Sequence, residues 1–317
     1  MPIKVMPANR YQFPRVSIQI PTYNQEAFIQ KTIESCLMQD YANLEINIAD
    51  DNSTDDTNKV VEPFLNDKRV RYFNNEVNIG MVANYHKALY EYATGDWAIN
   101  LDGDDYFTDP SFISRAIEQI QKSKDESIFV YQANQKINKI MKVLPACERI
   151  DEETILVEGA AYFMNYYKIL NFHHCATLYK RHEALKLNFY TFNCLYTDFN
   201  SVAKLFVLGK IILFDKEVAI WSRHDQNLSS TLNEEKLKNE FAAIDELACY
   251  AQKKIPVKLV QKWGREMKAY LLSNYIDLLS TKKQKRSALK TLFNNFSFEL
   301  SYFKLSAKTI FNLIGIK

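Results

Sequence analysis

The feature that most constrains the fold is an alternation of short apolar runs with helical segments between residues 15 and 131. The apolar runs are residues 15–20, 44–49, 69–73, 98–101 and 127–131. In the first intervening segment, residues 27–39, the apolar side chains Ile29, Ile33 and Leu37 fall on one helical face. Strands that alternate with helices across short loops predict an α/β fold with a largely parallel central sheet and flanking helices.

Polar clusters stand where three of these predicted strands end. They are residues 21–24 (Pro-Thr-Tyr-Asn), the pair Asp50-Asp51, and residues 102–105 (Asp-Gly-Asp-Asp). In open α/β sheets, ligands bind at the carboxyl ends of the strands. We therefore expect these loops to converge on one binding site.

The cluster at residues 102–105 suggests a metal site. Its three carboxylates repel one another, and burying such charges costs several kcal/mol unless they are paired, so a divalent cation would stabilise them. A solvated acidic turn is the alternative. An EF-hand is excluded because neither acidic turn has glycine at its sixth position, and no glycine pattern of a phosphate-binding loop is present.

Charge and composition narrow the class of protein. Residues 1–150 hold 16 Lys/Arg and 21 Asp/Glu, whereas residues 151–317 hold 24 and 17. No basic stripe with interleaved aromatic residues occurs, which argues against nucleic-acid binding.

The five cysteines are scattered, which predicts reduced thiols in a cytoplasmic protein. Residues 1–15 lack the apolar core of a signal peptide, and no apolar run is long enough to span a bilayer.

After residue 133 the alternation weakens, and the predicted elements are fewer. Residues 134–157 are polar and predicted to be irregular, and the chain from residue 234 onward is predicted to be helical. Between them we expect helices at 160–170 and 195–208, a strand at 175–179, and a strand pair at 210–214 and 217–221. Asp198 lies near the start of the second helix, and Arg223-His224 follow the strand pair.

The last 36 residues carry a basic amphipathic pattern. Residues 282–317 contain eight Lys/Arg and one acid, Glu299. An apolar stripe with alternating spacings of three and four runs along the same segment, through Phe293, Phe296, Leu300, Phe303, Ala307, Ile310 and Ile314. A basic amphipathic helix at 285–317 suits an anionic membrane surface, and packing on the catalytic domain or on a partner is the alternative.

Together these motifs resemble the family 2 glycosyltransferases, which have the nucleotide-sugar-binding GT-A fold. The matching segments are residues 21–24, 50–55, 78–80, 101–105, 197–198 and 223–224. The resemblance covers roughly residues 14–230 and implies a catalytic domain at 1–232. Within it, residues 14–132 would bind the nucleotide sugar and residues 133–232 the acceptor, followed by a C-terminal helical region at 233–317.

The resemblance implies inverting transfer of a sugar from a nucleotide-diphosphate sugar to an acceptor hydroxyl. The residues it places at the donor are Pro21, Thr22, Tyr23, Asn24, Asp51, Asn78, Gly80, Asp102, Gly103 and Asp104. Asp51 would face uracil, which favours UDP, and Asp102 and Asp104 would form the DxD pair that contacts ribose and holds Mn²⁺ or Mg²⁺. His224 is a further expected metal or diphosphate contact. The acceptor would be a glycan or lipid-linked glycan, in bacterial surface polysaccharide synthesis at the inner face of the cytoplasmic membrane.

Asp198 corresponds to the catalytic base of the family, although Thr197 stands where the family usually has Glu. This assignment agrees with the chemistry, because an inverting displacement needs one positioned base and no protein nucleophile, while a metal stabilises the leaving diphosphate. A solvated first-turn acid is the alternative for Asp198, and a surface or core histidine is the alternative for His224. With no partner at metal-ligand spacing, His173 and His174 are expected to be structural or to line the acceptor site.

Two other functions compete with sugar transfer. A sugar-phosphate nucleotidyltransferase also has carboxylates at strand ends, but it needs a Gly- and Lys/Arg-rich loop, which residues 21–26 lack. A non-catalytic domain could use the acidic clusters for metal-dependent binding. Ser53 or Thr54 is expected to be the N-cap of a helix that runs to about residue 65. Asp55 and Asp56 are expected only to cap this helix from its first turn, where the helix dipole favours acidic side chains.

Overall fold

The computed structural model describes residues 13–224 and 233–281. The strands are β1 (Val16–Thr22), β2 (Leu44–Asp50), β3 (Val70–Asn74), β4 (Trp97–Asn100), β5 (Tyr106–Phe107), β6 (Ile128–Gln132), β7 (Glu148–Arg149), β8 (Thr154–Glu158), β9 (Thr177–Lys180), β10 (Lys210–Phe214) and β11 (Ala219–Ile220). The α-helices are α1 (Ile29–Leu37), α2 (Thr57–Val61), α3 (Met81–Lys87), α4 (Phe112–Ser123), α5 (Ile137–Val143), α6 (Gly159–Ile169), α7 (Arg181–Lys186), α8 (Thr197–Leu208), α9 (Glu234–Ala251) and α10 (Val257–Thr281). Short 3₁₀ turns lie at Glu62–Asn66 and His174–Ala176, and a π-helical turn lies at Ala88–Tyr92.

Nine of the described strands form one sheet, in the order β3-β2-β1-β4-β9-β6-β10-β8-β7. The first four strands of that order pair in parallel, as do β6 and β10. Strand β9 is antiparallel to β4 and β6, and β8 is antiparallel to β10 and β7. The predicted α/β fold with a mainly parallel sheet is therefore confirmed, with β8 and β9 running against the other strands.

Strand β1 is an interior strand of this sheet, and every residue in it is buried. Its apolar side chains Val16, Ile18 and Ile20 alternate with Ser17 and Gln19, so both faces are covered, as is usual for parallel strands. Because β1 lies between β2 and β4, the loops that follow all three strands emerge side by side. This arrangement places the three polar clusters of the sequence at one edge of the sheet.

Three local predictions were wrong. Residues 210–214 and 217–221 do not pair with each other. Strand β10 lies between β6 and β8, whereas β11 pairs with β5, the short strand that directly follows the acidic loop. The helix expected from Ser53 or Thr54 begins only at Thr57, with Asp56 as its N-cap, and tightens into the 3₁₀ turn at Glu62–Asn66. In addition, residues 134–157 contain α5 and β8 rather than irregular chain alone.

Helices α9 and α10 pack against each other and against α6 and α8. Trp263 of α10 is buried and stacks on Phe163 of α6 at 4.2 Å between ring centroids. These helices thus share one hydrophobic cluster with the second half of the sheet. The boundary at 232/233 stays a prediction, and the basic segment 285–317 lies outside the described residues.

Two predictions about the chain as a whole can be compared with the structure. All five cysteines lie in the described residues and are free there, and their reduced state in a cytoplasmic protein stays a prediction. Among the helices that the structure describes, none has both the length and the apolar character that crossing a membrane requires.

Candidate active site

A cavity of about 980 Å³ opens at the carboxyl ends of β1, β2 and β4. It brings together most of the side chains singled out in the sequence, namely Pro21, Thr22, Tyr23, Asn24, Asp51, Asn78, Asp102, Asp104, Asp198 and His224. The two predicted glycines, Gly80 and Gly103, lie in the loops that carry Asn78 and Asp102. Residues that are distant in the sequence are therefore gathered in one place, as the strand order requires.

Hydrogen bonds between backbone N–H groups and side chains join the loop after β1 to the loop after β2. The Asn24 N–H donates to Ser53 Oγ at 2.9 Å, and Asn24 Oδ1 accepts from the Thr54 N–H at 2.7 Å. Asn24 and Asn52 both have positive φ values, 53° and 62°, which asparagine tolerates better than most residues. The two loops therefore form one fixed rim, from which the half-exposed ring of Tyr23 faces the cavity.

Asp51 fixes the neighbouring loop at residues 78–80. Its carboxylate accepts hydrogen bonds from the N–H groups of Ile79 and Gly80, each at 2.8 Å, and from Asn75 Nδ2 at 3.0 Å. Gly80 has a φ of +87°, a conformation that side-chain-bearing residues rarely adopt. Asp51 thus shapes the loop that carries Asn78, and its predicted contact with the donor base stays a prediction.

The acidic loop after β4 packs closely against the loop after β1. A Cβ atom on Gly103 would lie 2.0 Å from Gln25 Oε1 and 2.7 Å from Thr22 Oγ1, so any larger residue would force these two side chains to shift. Asp102 accepts a hydrogen bond from the Tyr85 hydroxyl. Asp105 is fully buried, and its Oδ1 accepts from the Ser222 N–H at 2.9 Å. This bond anchors the segment after β11 to the acidic loop.

That segment brings His224 to the acidic loop, and the expected contact of His224 with a metal or diphosphate stays a prediction. His224 Nε2 lies 2.7 Å from Asp104 Oδ2, and the imidazole stacks on Phe28 at 4.4 Å between ring centroids. Arg223 lies over the ring of Trp221, at 4.7 Å from its centroid. The structure therefore brings Asp104 and His224 into direct contact.

His174 connects the acidic loop to Asp198, a link that the sequence did not predict. Its Nε2 lies 3.4 Å from Asp102 Oδ2 and 3.3 Å from Asp105 Oδ2, while its Nδ1 lies 3.1 Å from Asp198 Oδ2. The predicted base therefore lies one imidazole ring away from the acidic loop. His174 lies just before β9, and because β9 is antiparallel to β4, its beginning lies at the same sheet edge as the parallel strand ends.

The charges in this cluster depend on one another. Burial, followed by the neighbouring charges of Asp102 and Asp105, raises the pKa of Asp104 to about 6. Burial disfavours the His174 imidazolium, but the carboxylates around it outweigh burial and hold its pKa well above the usual value. Burial likewise opposes ionisation of Asp102, yet the imidazolium and the Tyr85 hydroxyl keep its pKa below the usual value. The His174 imidazolium therefore stabilises the ionised form of Asp102, whereas burial still raises the pKa of Asp105.

The side chains of this cluster fit a divalent cation. Asp102, Asp105 and His174 each offer one ligand atom, and these atoms lie within 4.8 Å of one another. Within the described residues, the buried Asp105 Oδ2 and His174 Nε2 lack a well-directed hydrogen bond. Carboxylate oxygens suit Mn²⁺ and Mg²⁺, and imidazole nitrogen is compatible with a transition metal. Asp104 belongs to the same acidic loop, and His224 contacts it. Their role as metal ligands stays a prediction.

The far part of the cavity has mainly apolar walls. They come from α6, α8, α9, α10 and the chain after α6, through Tyr166, Leu170, Phe172, Phe199, Ile244, Leu247, Met267 and Leu271. Tyr166 stacks on Phe199, with 4.3 Å between the ring centroids. Phe199 directly follows Asp198 in the sequence. The site thus has a polar end at the strand termini and an apolar end among the helices.

Comparison with protein families gives a match over residues 17–185 to the model described as "Glycosyl transferase family 2". Among curated proteins, the chain is 34% identical over 115 residues to the GalNAc(5)-diNAcBac-PP-undecaprenol beta-1,3-glucosyltransferase of Campylobacter jejuni. It is 33% identical over 129 residues to the chondroitin synthase of Pasteurella multocida. These matches cover 36% and 40% of this chain, but only 35% and 13% of the respective relatives.

Solved structures share the fold at low sequence identity. Staphylococcus aureus TarS 1–349 in complex with UDP-GlcNAc superposes with a TM-score of 0.63 at 16% identity, covering 95% of this chain and 83% of that one. The mannosyltransferase PcManGT from Pyrobaculum calidifontis, in complex with GDP-Man and Mn²⁺, gives 0.59 at 16% identity, covering 99% and 84%. The similarity extends beyond the segment that the family model matches.

Proposed function

The chain belongs to glycosyl transferase family 2, and on this premise we propose that it transfers a sugar from a nucleotide-diphosphate sugar to an acceptor hydroxyl. The transfer would require a divalent cation and would invert the anomeric carbon. UDP is the nucleotide that the Asp51 position favours, and the TarS complex with UDP-GlcNAc is consistent with it.

The observation that carries this proposal is the link between Asp198 and the acidic loop through His174. Nδ1 of the imidazole lies 3.1 Å from Asp198, and Nε2 lies 3.4 Å from Asp102. Asp198, which we assign as the proton acceptor, thus lies next to the carboxylates that we assign to the cation, and this proximity supports the proposal. Sugar transfer needs this pair, because the acceptor hydroxyl loses a proton while negative charge develops on the leaving diphosphate.

Each part of the site has a distinct role in the proposed reaction. The rim formed by residues 21–24, together with the loop at 78–80, holds the nucleotide. A divalent cation held by the acidic loop would neutralise charge on the diphosphate as it leaves. Asp198 accepts the proton of the acceptor hydroxyl, and His174 orients the Asp198 carboxylate. No protein nucleophile is needed, because the hydroxyl itself attacks the anomeric carbon.

For the acceptor we propose a lipid-linked glycan. The apolar walls contributed by α6, α8, α9 and α10 support this choice, because aliphatic and aromatic side chains there can cover both sugar rings and hydrocarbon. The name of the Campylobacter relative also includes an undecaprenol-linked acceptor. The protein would then act in bacterial surface-glycan synthesis at the cytoplasmic membrane, with residues 285–317 as the predicted contact to anionic lipid.

A donor panel tests the proposed reaction. Thermal unfolding is measured with UDP-, GDP- and dTDP-sugars, with Mn²⁺ or with EDTA, and release of nucleoside diphosphate is followed in parallel. A UDP-sugar at 100 times its dissociation constant should stabilise the protein by about 2.7 kcal/mol. The anomeric configuration of the product, determined by NMR, tests inversion.

Asp104→Ala tests the role of the metal, with Asp245→Ala as a control. Asp245 is an exposed carboxylate on α9 that pairs with Lys268. We expect Asp104→Ala to abolish Mn²⁺-dependent transfer and the control to retain it. Full activity in EDTA would refute the metal requirement, and the absence of transfer from every donor would refute the function.

A further inference from the structure

Glu240 is a buried carboxylate that joins the C-terminal helices to the site. It lies on α9, and the residue is only 3% exposed. Its Oε1 accepts hydrogen bonds from the backbone N–H groups of Leu195, at 2.5 Å, and Tyr196, at 3.4 Å. These two residues lead directly into α8, whose second residue is Asp198. All four residues line the same cavity.

The environment of Glu240 shows why this contact matters. Burial raises the pKa of Glu240 to about 7, so the ionised form is held at a cost. The two N–H groups and the positive end of α8 offset part of that cost. The N-cap residue of α8, Tyr196, makes no side-chain capping hydrogen bond. Glu240 therefore supplies, from another helix, a contact that fixes the start of α8.

We propose that Glu240 is a positioning residue for sugar transfer, acting on Asp198 through the backbone at 195–196. If the start of α8 moved, the 3.1 Å contact between Asp198 and His174 would open, and the proton acceptor would leave its place beside the acidic loop. Displacement of a reacting group by about 1 Å can lower a rate roughly 100-fold. This inference rests on the proposed function. It means that α9 helps to position the proposed base through Glu240.

Two substitutions of Glu240 separate its roles. Glu240→Gln keeps an oxygen that can accept both hydrogen bonds, whereas Glu240→Met has a similar size and cannot accept them. We expect Glu240→Met to lower kcat by about 10- to 100-fold with the donor KM nearly unchanged. Glu240→Gln should retain kcat within about threefold, because a neutral oxygen accepts these hydrogen bonds as well.

Glu246→Met is the matched control. Glu246 also lies on α9 and pairs with Lys204 of α8 at 3.1 Å, but it lies six positions further along the helix. Its removal loosens the same helix pair without touching the start of α8. We expect a lower Tm with kcat close to that of the wild-type protein. Equal kcat values for Glu240→Met and Glu246→Met would overturn the proposal.

Amide hydrogen exchange provides a readout that does not depend on activity. Glu240→Met should speed exchange in residues 193–199, whereas Glu240→Gln and Glu246→Met should leave exchange there unchanged. Unchanged exchange in Glu240→Met would overturn the positioning role even if no donor were transferred, so it would be distinguished from failure of the proposed function. If Glu240→Met does not fold, Glu240→Asp, which shortens the reach by one methylene, should show the same changes to a smaller extent, and wild-type behaviour would refute the role.

Discussion

His174 is the residue whose environment most clearly predicts an effect of substitution. Its ring touches carboxylates from the acidic loop and from α8. In His174→Gln the acids lose the cation between them, and breaking a largely buried ion pair typically costs about 3 kcal/mol. We therefore expect a lower Tm without metal and a marked recovery when Mn²⁺ is added, measured by thermal unfolding.

The size of the Mn²⁺ effect distinguishes two roles for His174. If the metal replaces the positive charge of the imidazolium, Mn²⁺ should raise the Tm of His174→Gln more than that of the wild-type protein. A larger rise in the wild-type protein would instead identify His174 as a ligand. His182→Gln, at an exposed histidine, serves as the control and should respond like the wild-type protein.

Substitution of Asp198 tests the proposed base. Asp198→Asn keeps the shape of the side chain but cannot accept a proton, and loss of a general base typically lowers rates by about 10²- to 10⁴-fold. We expect kcat to fall by that factor while the affinity for the donor, measured by calorimetry, stays within about twofold. Asp245→Asn makes the same chemical change on the exposed face of α9 and should leave kcat unchanged. A near-normal kcat in Asp198→Asn would remove it as the base.

Single residues differed in how well the sequence could locate them. Asp102 and Asp104 were predictable because they directly follow a strand, and strand order fixes where such loops meet. His174 was not, because its partners come from distant segments and because its position depends on β9 being antiparallel. Glu240 was hidden for a similar reason, since its partners are backbone N–H groups that carry no sequence signal.

At the scale of elements, the loop at 78–80 and helix α10 predict opposite effects of the same substitution. Gly80 has a φ of +87°, and no atom lies within 4 Å of the position that a Cβ would take, so Gly80→Ala adds strain alone, about 1 kcal/mol. That strain would loosen the loop held by Asp51 and weaken donor binding several-fold. We expect a lower Tm and a higher dissociation constant, measured by thermal unfolding and calorimetry.

Gly264→Ala is the matched control within α10. A methyl group there would meet Ile244 Cγ2 at 3.8 Å and Ala248 Cβ at 3.9 Å, which are ordinary contacts. Because glycine costs about 1 kcal/mol relative to alanine in a helix, this variant should be more stable than the wild-type protein. A loss of stability in Gly264→Ala, or none in Gly80→Ala, would contradict the assignment of strain to the loop.

The elements of the first half were predictable because each strand and helix there has its own period. The strand at 154–158 was missed since it is short, follows a polar stretch, and gains its stability by pairing with β10. The pairing of β11 with β5 was missed because strands that are adjacent in sequence usually pair with each other. Strand β11 instead pairs with β5, which directly follows the acidic loop. Tertiary pairing therefore overrode the local signal.

At the scale of the whole molecule, α9 and α10 are joined to the site by both packing and charge. They share a hydrophobic cluster with α6 and α8, and Lys204 of α8 pairs with Glu246 of α9. The sequence showed these segments to be helical, but an apolar stripe does not reveal which surface it covers. Substitutions of the α9 residues that contact α8 are therefore expected to lower the global stability of the protein.

Glu240 predicts how the stability of the whole chain depends on pH. Its pKa is about 7 in the folded protein, and an unfolded glutamate has a pKa of about 4.3. Between these two pKa values the folded state binds more protons than the unfolded state, so the contribution of Glu240 to stability falls as pH rises, by about 4 kcal/mol in all. The titratable groups that face Glu240 are Asp198, Tyr196 and Cys194. Because the variants compared keep all three, a difference in pH dependence between variants reports on the substituted residue. In urea unfolding, Glu240→Gln should therefore gain stability relative to the wild-type protein from pH 5 to pH 8. Glu246→Gln controls for the loss of one charge and should not show this gain, whereas parallel curves for Glu240→Gln and the wild-type protein would show that Glu240 does not titrate in this range.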